Sequence, residues 1–322
     1  MAGPISSFLE HHFRHFNARE VLAAAAAWRE HCEAGGKMFL AMAGAMSTAE
    51  LGLSLAPMIR AGKIHAISTT AANLEEDIFN LVAHREYHIV KDWRALSAAD
   101  EVKLRDEGFN RVTDTCIPES VIRFIEGELT DYWTEAAEKH EAYFPYEYLY
   151  RLIASGDLDK HLQIPQEHSW VVAAQEAGIP IYSPGFEDST MGNVFAARVM
   201  DGTVRSHAAV RSGTEQMQHL VEWYREEQAR APIGFFQIGG GIAGDFAICS
   251  VPLLIQDLHE EVNFWSYFAQ ISDSTTSYGS YSGAVPNEKI TWWKLDQDAP
   301  MFMINSDAAI VAPLIFAYVL GE

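Results

Sequence analysis

Met38-Phe39-Leu40-Ala41-Met42-Ala43 is an apolar run without alternation, and Ile64-His65-Ala66-Ile67-Ser68-Thr69 follows one helix-length segment later. A strand with one wet face alternates apolar and polar residues. A run without alternation is covered on both faces, as strands of parallel sheets are. The segments around these runs predict helices. Residues 17–34 hold the alanine run Ala23 to Ala27, with Asn17 as N-cap, Glu20 three residues on and Gly35-Gly36 at the end. Residues 48–61 and 73–83 complete a strand–helix alternation, which predicts a parallel sheet with crossover helices.

The rhythm breaks between about 85 and 165. That stretch is rich in charge and aromatics, including Tyr143-Phe144-Pro145-Tyr146-Glu147-Tyr148-Leu149-Tyr150. It reads as a helical insertion with long loops inside one domain spanning 1–322. The alternation then resumes. A helix is expected at 168–177. Further strands are expected at Pro180–Tyr182, Ile233–Ile238, Val262–Ile271, Thr291–Leu295 and Pro300–Ile304, and a last helix at 308–319. The fold class is α/β, a Rossmann-like doubly wound, mostly parallel sheet with helices on both faces.

With 48% hydrophobic residues in 322, the chain can bury a large core. Its formal charge of −21 opposes phosphate backbones and favours cationic ligands, so no nucleic-acid partner is expected. Cys32, Cys116 and Cys249 are scattered and odd in number, which fits a reducing cytoplasm better than a disulfide framework. The stretch Met1 to Arg19 lacks an apolar signal core. Ala308 to Leu320 is too short to span a bilayer. A cytoplasmic protein without a membrane partner is therefore expected. His84 and His88 have i,i+4 spacing but no evident third ligand, so no metal site is expected.

Four expected strands end in loops of small residues: Thr69-Thr70-Ala71-Ala72-Asn73, Ser183 to Asp188, Gly239-Gly240-Gly241 and Asn305-Ser306-Asp307-Ala308. Open α/β sheets bind ligands there, with backbone N–H groups close to phosphates and carboxylates such as Asp188 and Asp307 on ribose hydroxyls. The Gly-x-Gly-x-x-Gly fingerprint is absent. Lys294 stands in Ile290-Thr291-Trp292-Trp293-Lys294-Leu295. On a buried strand, that lysine would be poorly solvated and available as the neutral amine of Schiff-base chemistry. On an alternating strand it would face water. Trp292 offers a ring for a cationic substrate. Glu75-Glu76-Asp77 opens a helix, either as caps and dipole partners or as ammonium ligands.

Taken in order, these pieces resemble the deoxyhypusine synthase family, and within it a bacterial deoxyhypusine synthase-like branch related to homospermidine synthase. The resemblance runs from about His12 to the C-terminus. Thr69 to Asp77 is similar to the family's Thr-Thr-Ala-Gly-Gly-x-Glu-Glu-Asp. Asn110-Arg111, Ser183-Pro184, Asp188, Met191-Gly192 and Gly239-Gly240-Gly241 follow. Then come Ser280-Tyr281-Ser282-Gly283-Ala284, Pro286, Glu288, Trp292-Trp293-Lys294 and Asp307-Ala308.

The resemblance implies a homotetramer with sites at dimer interfaces, NAD as cofactor and small polyamines as substrates. NAD takes hydride from a carbon beside an amine of spermidine, 1,3-diaminopropane leaves, and Lys294 carries the aminobutyl fragment as an imine to an acceptor amine. The retained hydride then reduces the product. The implied NAD-lining residues are Thr70, Ala71, Asp188, Gly240, Ser280, Ser282, Asp307 and Ala308, with Gly44, Ala45, Met46 and Thr48. Glu76, Glu288 and Trp292 correspond to residues that hold the polyamine.

The chain departs from the family's pattern around the amine. Asn193 replaces an aspartate, Tyr281 replaces an acidic residue between two serines, and Asp245-Phe246 replaces His-His, while among the NAD-lining positions Gly44-Ala45 stands where the family has Ser-Asn. Each lost carboxylate removes a charge-assisted bond of roughly 1.5–3 kcal/mol to an ammonium group, and Asp245 returns one carboxylate. The expected activity is an aminobutyl transferase from spermidine to a small amine such as putrescine. A protein lysine as acceptor is the alternative, and a non-catalytic NAD-binding scaffold is the alternative of another class.

Overall fold

A computed structural model describes residues 3–322, so the first two residues of the stretch Met1 to Arg19 lie outside the described part. Among the described residues nine strands are present: β1 (Lys37–Met42), β2 (Ala66–Thr69), β3 (His88–Ile89), β4 (Phe109–Val112), β5 (Thr115–Pro118), β6 (Ile181–Tyr182), β7 (Ile233–Ile238), β8 (Phe268–Ser272) and β9 (Met301–Asn305). Six form one sheet in the order β6-β2-β1-β7-β8-β9, and every pairing in it is parallel. The strand order reverses between β1 and β7. That junction is the topological switch point where doubly wound sheets bind nucleotides.

The burial follows from the sequence. Met38, Leu40 and Met42 point into one core with Trp28, Phe236 and Phe316, while Phe39 and Ala41 point into the other. The first core is closed by the helices Phe16–Glu33, Gly52–Arg60 and Ala308–Leu320. The second is closed by Gly213–Gln228 and Gly241–Ile248. In the second core Phe39, Phe235 and Phe268 stack across the adjacent strands β1, β7 and β8, Tyr182 of β6 stacks on Phe39 from beyond β2, and Trp265 packs edge-on against Phe235. Such aromatic contacts contribute about 0.5–1.5 kcal/mol each beyond the area they bury. They fix the sheet under the helix Gly241–Ile248.

Three local readings need correction. Thr291–Leu295 is not a strand. Glu288–Thr291 is one helical turn, Trp293 has a left-handed φ of +59°, and Leu295 alone makes an isolated bridge, to Trp265. β8 and β9 are parallel neighbours, so the chain between them must cross over a sheet face and cannot add a strand there. β8 also begins only at Phe268, not at Val262. Asn17 does not cap its helix. The helix starts at Phe16 after His15 with no side-chain cap, and the Asn17 amide donates to the Asn305 carbonyl.

Within 85–165 the helices Ala98–Asp106, Glu119–Lys139 and Pro145–Ser155 accompany a small antiparallel sheet, β3-β5-β4, for which the charged sequence carries no clear signal. The helix expected over 48–61 starts at Gly52. Before it, Ser47 is tied to Asn73, its N–H donating to Oδ1 and its hydroxyl to the carbonyl.

Glu75 and Asp77 serve as caps of other helices. Glu75 accepts from the Thr190 and Met191 N–H groups, and Asp77 accepts from the Ser169 hydroxyl and the Val171 N–H. Burial raises the carboxyl pKa of Glu75 to about 7 and that of Asp77 to about 6. A carboxyl raised in the folded state adds stability that is complete below its unfolded pKa and lost as pH rises through the folded one. Asp77 should therefore make the protein less stable between about pH 4 and pH 6. The full shift corresponds to about 3 kcal/mol. Asp77→Asn keeps an acceptor for both bonds, and urea denaturation across this window should show a shallower fall than in the parent protein.

Candidate active site

The loops at the carboxyl ends of the strands touch one another. The Thr70 hydroxyl donates to the Gly44 carbonyl at 2.9 Å, and Asn73 reaches the Met42 carbonyl. A Cβ on Gly239 would meet the Ala43 side chain, and a Cβ on Gly240 would lie 2.0 Å from Ser282 Oγ. Gly240 is therefore held bare against Ser282. Ser306 N–H donates to the Ser272 carbonyl, which brings Asp307 alongside. Ala71 and Ala308 each open a helix. Thr70 caps the first, accepting from the Asn73 N–H, and Asp307 caps the second, accepting from the Ala309 N–H.

This crevice fits a dinucleotide. It lies at the reversal of strand order, and the helices starting at Ala71 and Ala308 point their positive ends at it. The buried hydroxyls of Thr48, Thr69 and Ser183 have no partner among the described residues. Ala45 and Met46 are half-buried in the loop after β1, Ser280 is exposed, and Asp188 is exposed in a turn closed by its N–H to the Gly185 carbonyl.

A cavity of about 440 Å³ adjoins the glycine loop, lined by Asp245, Cys249, Ser277, Gly279, Ser280, Tyr281, Gly283, Ala284, Glu288, Lys289, Trp292 and Lys294. Here Lys294 is 6% exposed. Its Nζ donates to Asp245 Oδ1 at 2.9 Å and stands 5.4 Å from the Tyr281 ring centre. The burial does not come from a Trp-flanked strand. Trp292 is 66% exposed, although its ring centre is 5.8 Å from Nζ, and Trp293 stacks on Phe264. Tyr281 and the helix Gly241–Ile248 cover the lysine instead. Burial, with Asp245 and Cys249 adding to it, raises the Tyr281 phenol well above its ordinary range, so it stays a neutral donor. Burial likewise raises the Cys249 thiol, which leaves it a poor nucleophile.

Four residues of this site carry no motif. Gln237 and Gln270 are buried on β7 and β8. Tyr281 OH donates to Gln237 Oε1 at 2.8 Å, and Gln270 donates to the Ser282 carbonyl at 2.8 Å and the Gly239 carbonyl at 3.2 Å. These two amides pin the Ser280–Ala284 loop to the glycine turn. Polar residues inside otherwise apolar strands were the available signal. Gly244 is the third, since a Cβ there would lie 2.5 Å from Gln237 Oε1 and 2.9 Å from the Tyr281 ring. Lys289 is the fourth, buried against the Phe268 and Tyr281 rings, and its neighbours Glu288 and Ile290 carry no sign of that burial.

Two expected polyamine ligands do not line this cavity. Glu76 accepts from the Thr48 N–H at 3.3 Å, with its pKa raised by burial, and Asn193 donates to the Glu187 and Ser189 carbonyls. His84 pairs with Glu50 at 2.6 Å, and no cluster able to hold a metal is found among the described residues.

The family model for deoxyhypusine synthase matches residues 10–319. The chain belongs to the deoxyhypusine synthase family. A deoxyhypusine synthase-like protein from Nostoc punctiforme is 30% identical over 296 residues, covering 88% of this chain and 71% of its own. "Probable deoxyhypusine synthase 1" of Archaeoglobus fulgidus is 24% identical over 308 residues, covering 95% and 90%. A crystal structure assigned to deoxyhypusine synthase from Entamoeba histolytica shares the fold, with TM-score 0.57 and 14% identity over 97% of this chain and 89% of that one.

The deoxyhypusine synthase family carries out NAD-dependent aminobutyl transfer, and its fold here presents a bare-glycine crevice beside a buried lysine. No described helix is long and apolar enough to cross a membrane. Gly240→Ala should push Ser282 away from the glycine turn. NAD affinity measured by calorimetry should fall at least tenfold, about 1.4 kcal/mol, while the far-ultraviolet spectrum stays unchanged.

Proposed function

We propose that the protein is an NAD-dependent aminobutyl transferase that takes spermidine as donor and a small amine such as putrescine as acceptor, giving homospermidine. The observation that carries this reading is Lys294: a buried amine, bonded to one carboxylate, opening on a cavity beside the glycine crevice. NAD bound in that crevice supplies reversible hydride transfer at a carbon next to an amine.

The chain's own groups do the rest. Lys294 Nζ must first lose a proton, because an ammonium has no lone pair. It then displaces 1,3-diaminopropane from the electrophilic carbon and holds the four-carbon fragment as an imine until the acceptor amine displaces it in turn. Asp245 is half-exposed, with Oδ1 on Lys294. Its Oδ2 has no hydrogen bond among the described residues and is free for a substrate ammonium. Exposed Glu288 and the Trp292 ring, both lining the cavity, suit a second ammonium group. Tyr281 stands where the family has an acid and narrows the demand for positive charge, which supports a small acceptor.

Glu76 and Asn193 lie away from this cavity, which supports a homotetramer whose subunits complete one another's sites. Incubation with NAD, spermidine and a panel of amines, followed by mass spectrometry, tests the reading. Homospermidine and 1,3-diaminopropane should form in equal amounts when putrescine is present. Absence of 1,3-diaminopropane under all conditions would reject spermidine as donor.

A further inference from the structure

A second lysine lies in the same cavity. Lys289 is 3% exposed, and its Nζ is fully buried without a hydrogen-bond partner among the described residues. It rests on aromatic faces, 4.6 Å from the Phe268 ring centre and 4.9 Å from that of Tyr281. Lys294 stands over the same Tyr281 ring at 5.4 Å and holds the one carboxylate bonded to either amine, Asp245. An ammonium in such a setting has lost its water and gained only ring contacts.

The charges explain the arrangement. With both lysines protonated, the group formed with Asp245 carries a net charge of +1. Loss of one proton from Lys294 to solvent brings it to zero. Without Lys289, the same loss would turn a neutral lysine–carboxylate pair into a net anion on half-exposed Asp245. We propose that Lys289 is a positioning residue for Lys294, a fixed counter-charge that keeps Asp245 ionised and paired when Lys294 releases its proton. This rests on the reading of Lys294 as the imine-forming amine, and adds the group that makes its neutral form accessible.

Burial and then the Lys294 charge lower the Lys289 pKa to about 8, with Glu288 and Asp245 opposing. Lys289 is thus charged at neutral pH and loses its effect above about pH 8. The other groups facing the pair are Cys249 and the phenol of Tyr281.

The test needs neither NAD nor a polyamine. Reductive methylation of the full chain with formaldehyde and a borane reductant, mapped by peptide mass spectrometry from pH 6 to 10, reads the neutral fraction of Lys294. Lys289→Met should lower Lys294 labelling about tenfold at pH 7.5, equivalent to one pH unit, and recover near pH 9. Lys289→Gln should do the same, and Lys289→Arg should match the parent profile below about pH 8 and keep the higher labelling above it, where Lys289 loses its charge. In turnover assays Lys289→Met should lower kcat at pH 7.5 with KM little changed. A Lys294 labelling profile identical in the parent, Lys289→Met and Lys289→Gln proteins would overturn the proposal. The labelling shift together with a parent protein that forms no product from spermidine would instead count against the proposed reaction.

Discussion

The bond between Lys294 and Asp245 is the constraint on which the site depends. A buried ammonium is costly unless a charged partner and further contacts compensate it. The chain supplies them from four segments. Asp245 comes from the helix that opens after β7, and Tyr281 from the loop after β8. Gln237 and Gln270 reach up from the strands beneath to hold that loop. Gly244 leaves the space in which the Tyr281 ring and the Gln237 amide meet. A larger residue at Gly244 would displace the ring that covers Lys294, so the amine's environment is set well away from the amine itself.

The same loops make the other half of the site. Gly239 and Gly240 form the tight turn after β7, and Ser282, two residues from the serine that caps the Tyr281 turn, closes on Gly240. One loop thus borders both the crevice that fits a dinucleotide and the cavity that holds the lysine. The glycine turn and the lysine cavity therefore meet across one loop, with Gly240 against Ser282 and Gly244 against the Tyr281 ring. The acidic surface of the chain suits the arrival of cationic amines.

Much of this was legible in the residues. The continuous apolar run at Met38 was typical of a strand covered on both faces, Ile233–Ile238 was expected as a further strand, and the small-residue loops after such strands marked the crevice. Lys294, Asp245 and Tyr281 were singled out by motif order, and the structure places them in one cavity. Other features were hidden for physical reasons. Ile290 to Leu295 has strand-like composition, but the crossover between two parallel neighbours left it no place in the sheet, so Trp292 and Trp293 lie outside. Lys289 carried no local signal because its burial depends on rings 8 and 21 residues earlier in the chain, Tyr281 and Phe268. Strands β3 to β5 are only two to four residues long, β3 exposed, β4 mostly half-buried and β5 buried, so their pairing rests on tertiary contacts more than on local pattern.

The central claim is that Lys294 carries the substrate fragment. Quenching the reaction with borodeuteride during turnover, then sequencing the modified peptides by mass spectrometry, tests it most directly. A four-carbon amine bearing deuterium should be found on Lys294, requiring both NAD and donor, and should vanish in Lys294→Ala. A fragment trapped elsewhere, or one undiminished by that substitution, would contradict the account.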